Sequence, residues 1–554
     1  MSDTAAPSVQ PRPWIMGRTA DLLLFLAAPV WIVLAFAGLR QVVDSRTLQY
    51  SVMAFGSLGH NLPGMLRAYG DRALFRRFRT RFVVAPLAFG AASVAFALRG
   101  SGGLLLIAYL WAAWHALMQM YGFLRIYDAR VGSTAPRIAR LDLAMCLAWF
   151  VGAMICSDAR VYYVQSLCAE FGAAPLSPAA LHGVRVAAVV VIAALTLYYC
   201  VDLLRRWRAG APISGLKHLL YVTSIGFWWY VHVAVADVLL GLIMFEVFHD
   251  VQYLAIVWAF NRRRADTDPA AGAFTRILFR RSGAMVLLYV GLCLAYGGLL
   301  PLTSSFELST SGQLAVVVFV QTSALLHYYF DGFLWKVREP STRAALGLQA
   351  GGGGERLVTR HGLKWLGLAA PAAVLYLLAV QPVSAQAAEA LAVSTPGSAE
   401  AQIAVGVARL RSDRPGDAIV ALQAALAITP GDPVAADHLA HARLQAGIGA
   451  VRAGRIDEAR RLLELARQRI PLAAEETVFI GEQLRMQGKG EDAIVHYRAA
   501  LLIAPDLAPA HLNLALALRD AGRRTEALEH ARRGAQLWPA DARAQQLVQE
   551  LQSR

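Results

Sequence analysis

Four histidines lie in separate apolar segments of the sequence, and each is followed by a cluster of basic residues. They are His60, His115, His249 and His327. An ionisable side chain inside a membrane-spanning segment is costly and is usually kept for a function. Counting about 1.5 Å per residue to the next Arg or Lys places all four at a similar depth. The pattern therefore predicts a metal site inside a helical bundle.

Acidic and hydroxyl side chains accompany these histidines at helical spacing. Glu246 precedes His249 by three residues and Asp331 follows His327 by four, so each pair shares a helix face. Carboxylate-bridged metal proteins use the first spacing because both side chains can reach the same ions. Gln119 and Gln252 follow His115 and His249 at similar spacing and are expected to orient them. The predicted metal ligands are His60, His115, His249, His327, Glu246 and, from a helix of opposite direction, His232. The predicted catalytic or orienting groups are Glu246, Asp250, Asp331, Tyr121 and Tyr328.

The histidine and carboxylate donors limit the choice of metal or cofactor but do not identify it. Imidazole with carboxylate suits iron, zinc, copper or manganese. A transition metal is expected, mono- or dinuclear, and iron is favoured by analogy with oxygen chemistry on lipid-soluble substrates. Paired histidines at one depth also allow haem, although haem needs no carboxylate. A structural hydrogen-bond network and a metal-free proton relay or acyl-transfer site are the remaining alternatives.

Composition divides the chain into two parts. The 554 residues are 57% hydrophobic and 16% charged, and the mean hydropathy is +0.45. Up to about residue 385, apolar residues form runs of about 20, the length that crosses a bilayer. The net charge of +15 fits basic loops and contact with anionic lipid. The Arg clusters coincide with the predicted membrane ends, and this position argues against nucleic acid as a partner.

About eleven membrane spans are expected. Their approximate bounds are 20–40, 48–68, 81–98, 103–127, 140–156, 184–203, 219–236, 238–260, 283–301, 314–336 and 364–384. Lys and Arg cluster in alternate loops, which predicts a cytoplasmic N-terminus. The composition looks bacterial, so the part after the last span is expected in the periplasm. The expected organisation is a disordered cytoplasmic tail (1–19), a membrane domain in the bacterial inner membrane (20–385), a linker (386–398) and a periplasmic domain (399–554).

A 34-residue period runs through the C-terminal part. Pro471, Pro505 and Pro539 follow it, and so do three sets of small residues, namely Gly454, Gly488 and Gly522; Ala459, Ala493 and Ala527; and Gly447, Gly481 and Ala515. This pattern resembles the tetratricopeptide repeat, whose small residues let paired helices pack closely and whose Pro closes the second helix.

The resemblance covers about residues 399–541, and residues 542–554 are expected to form a capping helix. An earlier unit fits Gly406, Ala418, Ala425 and Pro430, and an insertion near 431–439 breaks the register after it. The resemblance implies an α-solenoid whose concave face binds a protein or peptide. The alternative is that the solenoid only packs on the membrane domain.

The sequence thus predicts an all-α protein, a polytopic transmembrane bundle followed by a solenoid. With single histidines on several spans, the membrane part loosely resembles histidine-rich membrane oxygenases such as the bacterial β-carotene-cleaving enzymes. Their local motifs are absent here, so no residue roles carry over. The expected function is a metal-dependent oxidoreductase that hydroxylates, desaturates or cleaves a lipid-soluble substrate. Alternatives are a glycosyltransferase using lipid-linked sugars or an acyltransferase, working through Asp44 or Asp158, and a non-catalytic assembly protein.

Overall fold

The computed structural model describes residues 13–100, 102–268, 272–299, 309–334 and 358–553, and all regular structure in them is helical. This confirms the predicted all-α class. The chain divides into two compact units, Met1–Val383 and Ser384–Arg554. Most of the expected disordered tail, 1–12, lies outside the described residues. The chain is already ordered at Ile15 and Met16, whose N–H groups donate to the buried carboxylate of Asp21 at 2.7 and 2.9 Å.

The first unit is a bundle of long and broken helices. In chain order they are α1 (Arg18–Asp21), α2 (Ala28–Leu39), α3 (Ser45–Val52), α4 (Asn61–Gly70), α5 (Arg72–Arg77), α6 (Arg79–Leu98), α7 (Gly103–Arg130), α8 (Pro136–Cys156), α9 (Asp158–Ala169), α10 (Pro178–Arg208), α11 (Gly215–Trp229), α12 (Val238–Thr267), α13 (Ala273–Leu278), α14 (Gly283–Gly297), α15 (Thr310–Leu334) and α16 (Val358–Leu377).

Within the described residues, each of the eleven expected spans overlaps helical structure, but not every span is one long helix. Among the described residues, six helices are long and apolar enough to cross a membrane unaided, namely α6, α7, α8, α10, α12 and α15. A seventh crossing is available if the helical segments Arg18–Leu26 and Ala28–Leu39, which meet at a bend of 58°, act together. The span expected at 48–68 is broken between α3 and α4, and α14 has only 15 residues.

Three π turns interrupt the helices, and all three pack on α12. They are Leu22–Leu26, Met53–Leu58 and Tyr230–Ala234. Single π turns inside helices are frequent at functional sites. The second turn packs so closely on α14 that a β-carbon on Gly297 would collide with the carbonyl oxygen of Ala54. These contacts make α12 the central helix of the unit.

A balanced group of buried charges joins the ends of α7, α8 and α11. Lys217 is fully buried, and its Nζ lies 2.8 Å from carboxylate oxygens of both Asp128 and Asp142. Arg125 Nη1 donates to the same two residues at 2.6 and 2.8 Å. Two cations therefore face two anions, and this pairing offsets much of the cost of burying them.

The second unit is a stack of helix pairs. Its helices are α17 (Ala385–Ser394), α18 (Ala399–Arg411), α19 (Pro415–Ile428), α20 (Pro433–Arg452), α21 (Ile456–Arg467), α22 (Ala473–Met486), α23 (Gly490–Ile503), α24 (Ala508–Asp520), α25 (Arg524–Leu537) and α26 (Ala542–Gln552). Each helix packs mainly on its neighbours in sequence. The segment expected to be a linker, 386–398, is largely the helix α17, which packs on α18 and belongs to this unit.

Two of the recurring sets of small residues have clear structural reasons. Gly454, Gly488 and Gly522 follow the first helix of successive pairs with φ of +73°, +78° and +76°. This left-handed conformation ends a helix and favours glycine. Gly481 gives room to Tyr497, since a β-carbon there would lie 2.6 Å from the tyrosine ring.

The break in the 34-residue register lengthens one helix. Helix α20 has 20 residues, whereas α22 has 14 and α24 has 13. The extra length is about two turns. Because whole turns were added, Gly447 stays on the helix face that packs against Leu463. A β-carbon placed on Gly447 would lie 2.7 Å from the Leu463 side chain.

Candidate metal centre

The four predicted histidines of the first unit meet at one place. His60 Nε2 lies 3.0 Å from His327 Nε2, and His327 Nε2 lies 3.1 Å from His115 Nε2. The His249 ring stands edge-on to those of His60 and His115, with centroids 5.3 and 5.0 Å apart. Residues far apart in sequence therefore place four imidazoles in mutual contact.

Each imidazole comes from a different element. His115, His249 and His327 lie within the long helices α7, α12 and α15. His60 differs from the expectation of a continuous span, because it lies in the turn between the second π turn and α4. There its Nδ1 donates to the carbonyl oxygen of Gly56 at 3.0 Å. The break in the helix therefore lets the backbone of the preceding π turn hold the Nδ1 edge of the His60 ring.

The cluster is shielded from solvent. His60, His249 and His327 are 4%, 5% and 1% exposed, and the side chain of His115 is 10% exposed. Buried polar groups are stable only when they are paired or bind metal. Each ring nitrogen in this buried cluster therefore needs a hydrogen-bond partner or a metal ion.

Asp250 and Glu246 both approach His60. Asp250 Oδ1 lies 2.9 Å and Glu246 Oε1 3.9 Å from His60 Nδ1. Asp250 follows His249 in sequence but faces the histidine of another element. A β-carbon on Gly56 would lie 2.6 Å from Asp250 Oδ2, so only glycine leaves room for this carboxylate.

Asp331 lies beside two histidines and a tyrosine. Its Oδ2 is 3.8 Å from His327 Nδ1 and 3.9 Å from His115 Nε2. Its Oδ1 accepts a hydrogen bond from the hydroxyl of Tyr253 at 3.1 Å. Tyr253 follows His249 by four residues on the same helix face, and the sequence predicted it as one of several tyrosines that add hydrogen-bonding groups near the histidines.

The donor atoms form three overlapping groups that can hold an ion. The groups are His60, His249 and His327; His115, His327 and Asp331; and His60, Glu246 and Asp250, and within each the ligand atoms lie within 4.8 Å of one another. Glu246 and His249, the predicted E-x-x-H pair, belong to different groups that share His60. The spacing alone had suggested that both reach the same ion.

Tyr328 lies at the cluster, whereas His232 packs on Trp228. The Tyr328 ring is 5.3 Å from that of His115. His232 belongs to none of the three groups in the described residues. Its ring centroid lies 3.7 Å from that of Trp228, and its Nδ1 donates to the Trp228 carbonyl, four residues earlier, at 2.9 Å. Tyr121 packs against the apolar core of the bundle.

The two glutamines support the backbone and not the imidazoles. Gln119 Nε2 donates to the carbonyl oxygen of His249 at 3.0 Å. Gln252 Nε2 donates to the carbonyl oxygen of Phe25 in the first π turn at 3.3 Å. The expectation that these side chains orient the rings directly is therefore wrong. Their helical spacing was right, but the neighbouring elements offer them better acceptors.

Further buried polar residues surround the site. Asn61 Nδ2 donates to Ser323 Oγ at 3.0 Å, and Tyr296 hydroxyl lies 3.0 Å from the same oxygen. Gly64 lies close to the site, since a β-carbon there would be 3.3 Å from the Tyr253 hydroxyl. Asn61 adjoins His60 in sequence, and an amide next to a histidine inside an apolar segment is the sequence signal for this part of the site.

The outer acids that a transferase would need have structural partners. Asp44 caps α3 by accepting a hydrogen bond from the Thr47 N–H at 2.9 Å. Asp158 forms an ion pair with Arg185. Both carboxylates thus have a local structural role.

The donor geometry fits a non-haem ion. Two nitrogens bound to one tetrahedral ion at about 2.0–2.1 Å lie roughly 3.4 Å apart. The Nε2 separations of 3.0 and 3.1 Å therefore need the rings to open by only a few tenths of an ångström. Two histidines that bind one haem from opposite faces would have to lie farther apart than these Nε2 atoms do.

Comparison with known proteins leaves the chain without a family. No family model matches it, and no curated protein matches it. Two crystal structures of MamA show partial likeness. One is 19% identical over 29% of this chain and 83% of that chain, and the other is 17% identical over 34% and 99%, both with a TM-score of 0.17. At these values the likeness assigns neither a family nor a function.

Proposed function

We propose that this protein is a membrane metalloenzyme, an oxidoreductase that acts on a lipid-soluble substrate. The observation that carries the proposal is the convergence of the Nε2 atoms of His60, His327 and His115 at 3.0 and 3.1 Å in a buried site. His249 adds a fourth imidazole, and Asp331 lies within ligand reach. These donors suit iron, copper, zinc or manganese, and we favour iron.

A bound transition metal would supply a Lewis acid or a redox centre at this position. The protein's own groups hold and orient the ligands. Asp250 and the Gly56 carbonyl hold one side of His60, and Tyr253 holds Asp331. Helices that can cross a membrane surround the site, which favours a substrate that enters from the bilayer. Water is kept from the imidazoles by their burial.

The second unit is proposed to be a tetratricopeptide-repeat solenoid that binds a protein or peptide on its concave face. The 34-residue period, the left-handed glycines and the stacked helix pairs support this. Basic and acidic side chains are equal in number in residues 384–554, so the whole excess of +15 belongs to the first unit. That excess supports a first unit held by anionic lipid. The clustering of Lys and Arg in alternate loops supports an orientation that places the solenoid in the periplasm of a bacterial inner membrane.

The test is the metal content of the full-length protein purified in detergent, measured by elemental analysis with a visible spectrum of the same sample. His249→Ala and His327→Ala should each lose most of the metal. His182→Ala is the control, since His182 is exposed and distant in sequence from the cluster. The proposal is wrong if the wild-type protein contains no metal, or if the two variants keep both metal and activity. Either result would favour a scaffold protein or a transferase. A Soret band would redirect it to haem.

A further inference from the structure

We infer that the site holds a single metal ion on the Nε2 side of the imidazoles, and that Asp250 is a positioning residue for His60, not a ligand. The inference rests on the proposed function, because it assumes that a metal binds. It goes further by choosing between one ion and two, which the overlapping donor groups leave open.

The tautomer of His60 is fixed by what surrounds its Nδ1. This atom lies 3.0 Å from the carbonyl oxygen of Gly56 and 2.9 Å from Asp250 Oδ1. A carbonyl oxygen can only accept a hydrogen bond, and an ionised carboxylate can also only accept. Nδ1 must therefore carry the proton, and in the neutral ring Nε2 presents its lone pair.

That lone pair faces the other imidazoles. His60 Nε2 points to His327 Nε2 at 3.0 Å, and the same His327 atom lies 3.1 Å from His115 Nε2. One ring nitrogen carries either a single proton or a single lone pair. It cannot make two good hydrogen bonds of this kind at once. A cation among the three nitrogens would satisfy all of them together.

A second ion on the opposite side of His60 is disfavoured by the same contacts. The group of His60, Glu246 and Asp250 would use His60 Nδ1 as its nitrogen ligand. Removing the proton from Nδ1 would direct its lone pair at the Gly56 carbonyl oxygen. The two atoms would then repel each other, and the hydrogen bond that holds the ring would be lost.

Asp250 instead acts through His60. A carboxylate beside the distal nitrogen of a metal-bound imidazole fixes the ring orientation and raises its basicity. Asp250 Oδ1 takes this place at 2.9 Å from His60 Nδ1, while the Gly56 carbonyl accepts the hydrogen bond. The side chain is buried against Gly56, where no β-carbon obstructs it. Removing such a partner usually weakens metal binding by about 10–100-fold.

The experiment titrates metal-free full-length protein in detergent with Co²⁺, following its visible bands and the bound metal per chain. Wild-type protein should saturate at one Co²⁺. Asp250→Leu removes the oxygen that faces His60 Nδ1 and should weaken binding by about 10–100-fold with shifted bands. Asp250→Asn keeps an oxygen at this position and should bind nearly as wild type does. Asp202→Asn, a carboxylate paired with Arg137 and Arg206, is the matched control.

Several outcomes would overturn the inference. Two Co²⁺ per chain in wild type would show a dinuclear site and leave the proposed metalloenzyme standing. Equal weakening by Asp250→Asn and Asp250→Leu would show that negative charge or ligation matters, and not the contact of an oxygen with His60 Nδ1. Wild-type protein that binds no Co²⁺ would remove both this inference and the proposed function. The wild-type stoichiometry decides the number of ions even if Asp250→Leu does not fold.

Discussion

Gly56 and Asp250 stand so close that a β-carbon on the glycine would lie 2.6 Å from Asp250 Oδ2. The glycine belongs to the π turn Met53–Leu58 and also supplies the carbonyl that accepts from His60. One residue with no side chain therefore makes room for the carboxylate and fixes the imidazole. The turn and the site depend on each other.

Gly56→Ala should push Asp250 away from His60 and lower metal affinity by about 10-fold. The reason is that the new methyl group occupies the position of the carboxylate oxygen. Metal titration of purified protein measures the effect. Gly122→Ala is the control, because a β-carbon there has no neighbour within 4 Å. Unchanged affinity in Gly56→Ala would mean that the contact does not matter for binding.

Lys217→Met should destabilise the first unit strongly. It leaves Arg125 alone with the carboxylates of Asp128 and Asp142 in a buried site, and removing one partner of a buried ion pair costs about 3–5 kcal/mol. Lys217→Met combined with Asp142→Asn restores charge balance and should recover part of the loss. Thermal unfolding in detergent compares both with Lys489→Met, an exposed control. An equally unstable double variant would contradict the charge-balance argument.

Gly481→Ala should destabilise the second unit by about 1–3 kcal/mol, the usual cost of overpacking a core. The added methyl would lie 2.6 Å from the Tyr497 ring. In the next pair the corresponding residues are Ala515 and Ala531, both fully buried. Combining Gly481→Ala with Tyr497→Ala should therefore cost less than the sum of the single changes. Denaturant unfolding measures this coupling, and strictly additive effects would refute it.

Acid should loosen the last helix pair of the second unit. Burial first, and then the neighbouring His511, lower the pKa of His530 below its ordinary 6.5, and the two Nδ1 atoms lie 3.0 Å apart. The folded state thus disfavours the proton that the unfolded chain accepts. The contribution is intact above about pH 6.5 and falls as pH drops from there toward the folded pKa.

Hydrogen exchange of residues 508–537 in the full-length protein, compared at pH 7.5 and 5.5 after correction for intrinsic rates, measures this change. His530→Gln removes the titrating group and should flatten the pH dependence. His441→Gln, an exposed histidine of the same unit, should leave it as it is. Protection of wild-type helices that does not fall on acidification would rule out the mechanism.

The sequence alone determined the helical class, the position of the helices and the candidate ligands. Apolar runs and the 34-residue period are local patterns, and a helix forms wherever its own residues support it. The spacing of Glu246 and His249 and of His327 and Asp331 is likewise fixed by the helix itself. The four histidines were recognisable because ionisable residues are rare within apolar segments.

Only the tertiary structure decided which side chains meet. Asp250 of α12 contacts His60, and the Tyr253 hydroxyl donates to Asp331. The Gln252 amide donates to the carbonyl oxygen of Phe25. His232 lies in a segment as apolar as the others, yet its ring packs on Trp228 and not at the cluster. Contacts between helices depend on where each helix breaks and how it crosses its neighbours. A local sequence pattern does not contain that information, because both partners must be placed before either contact exists.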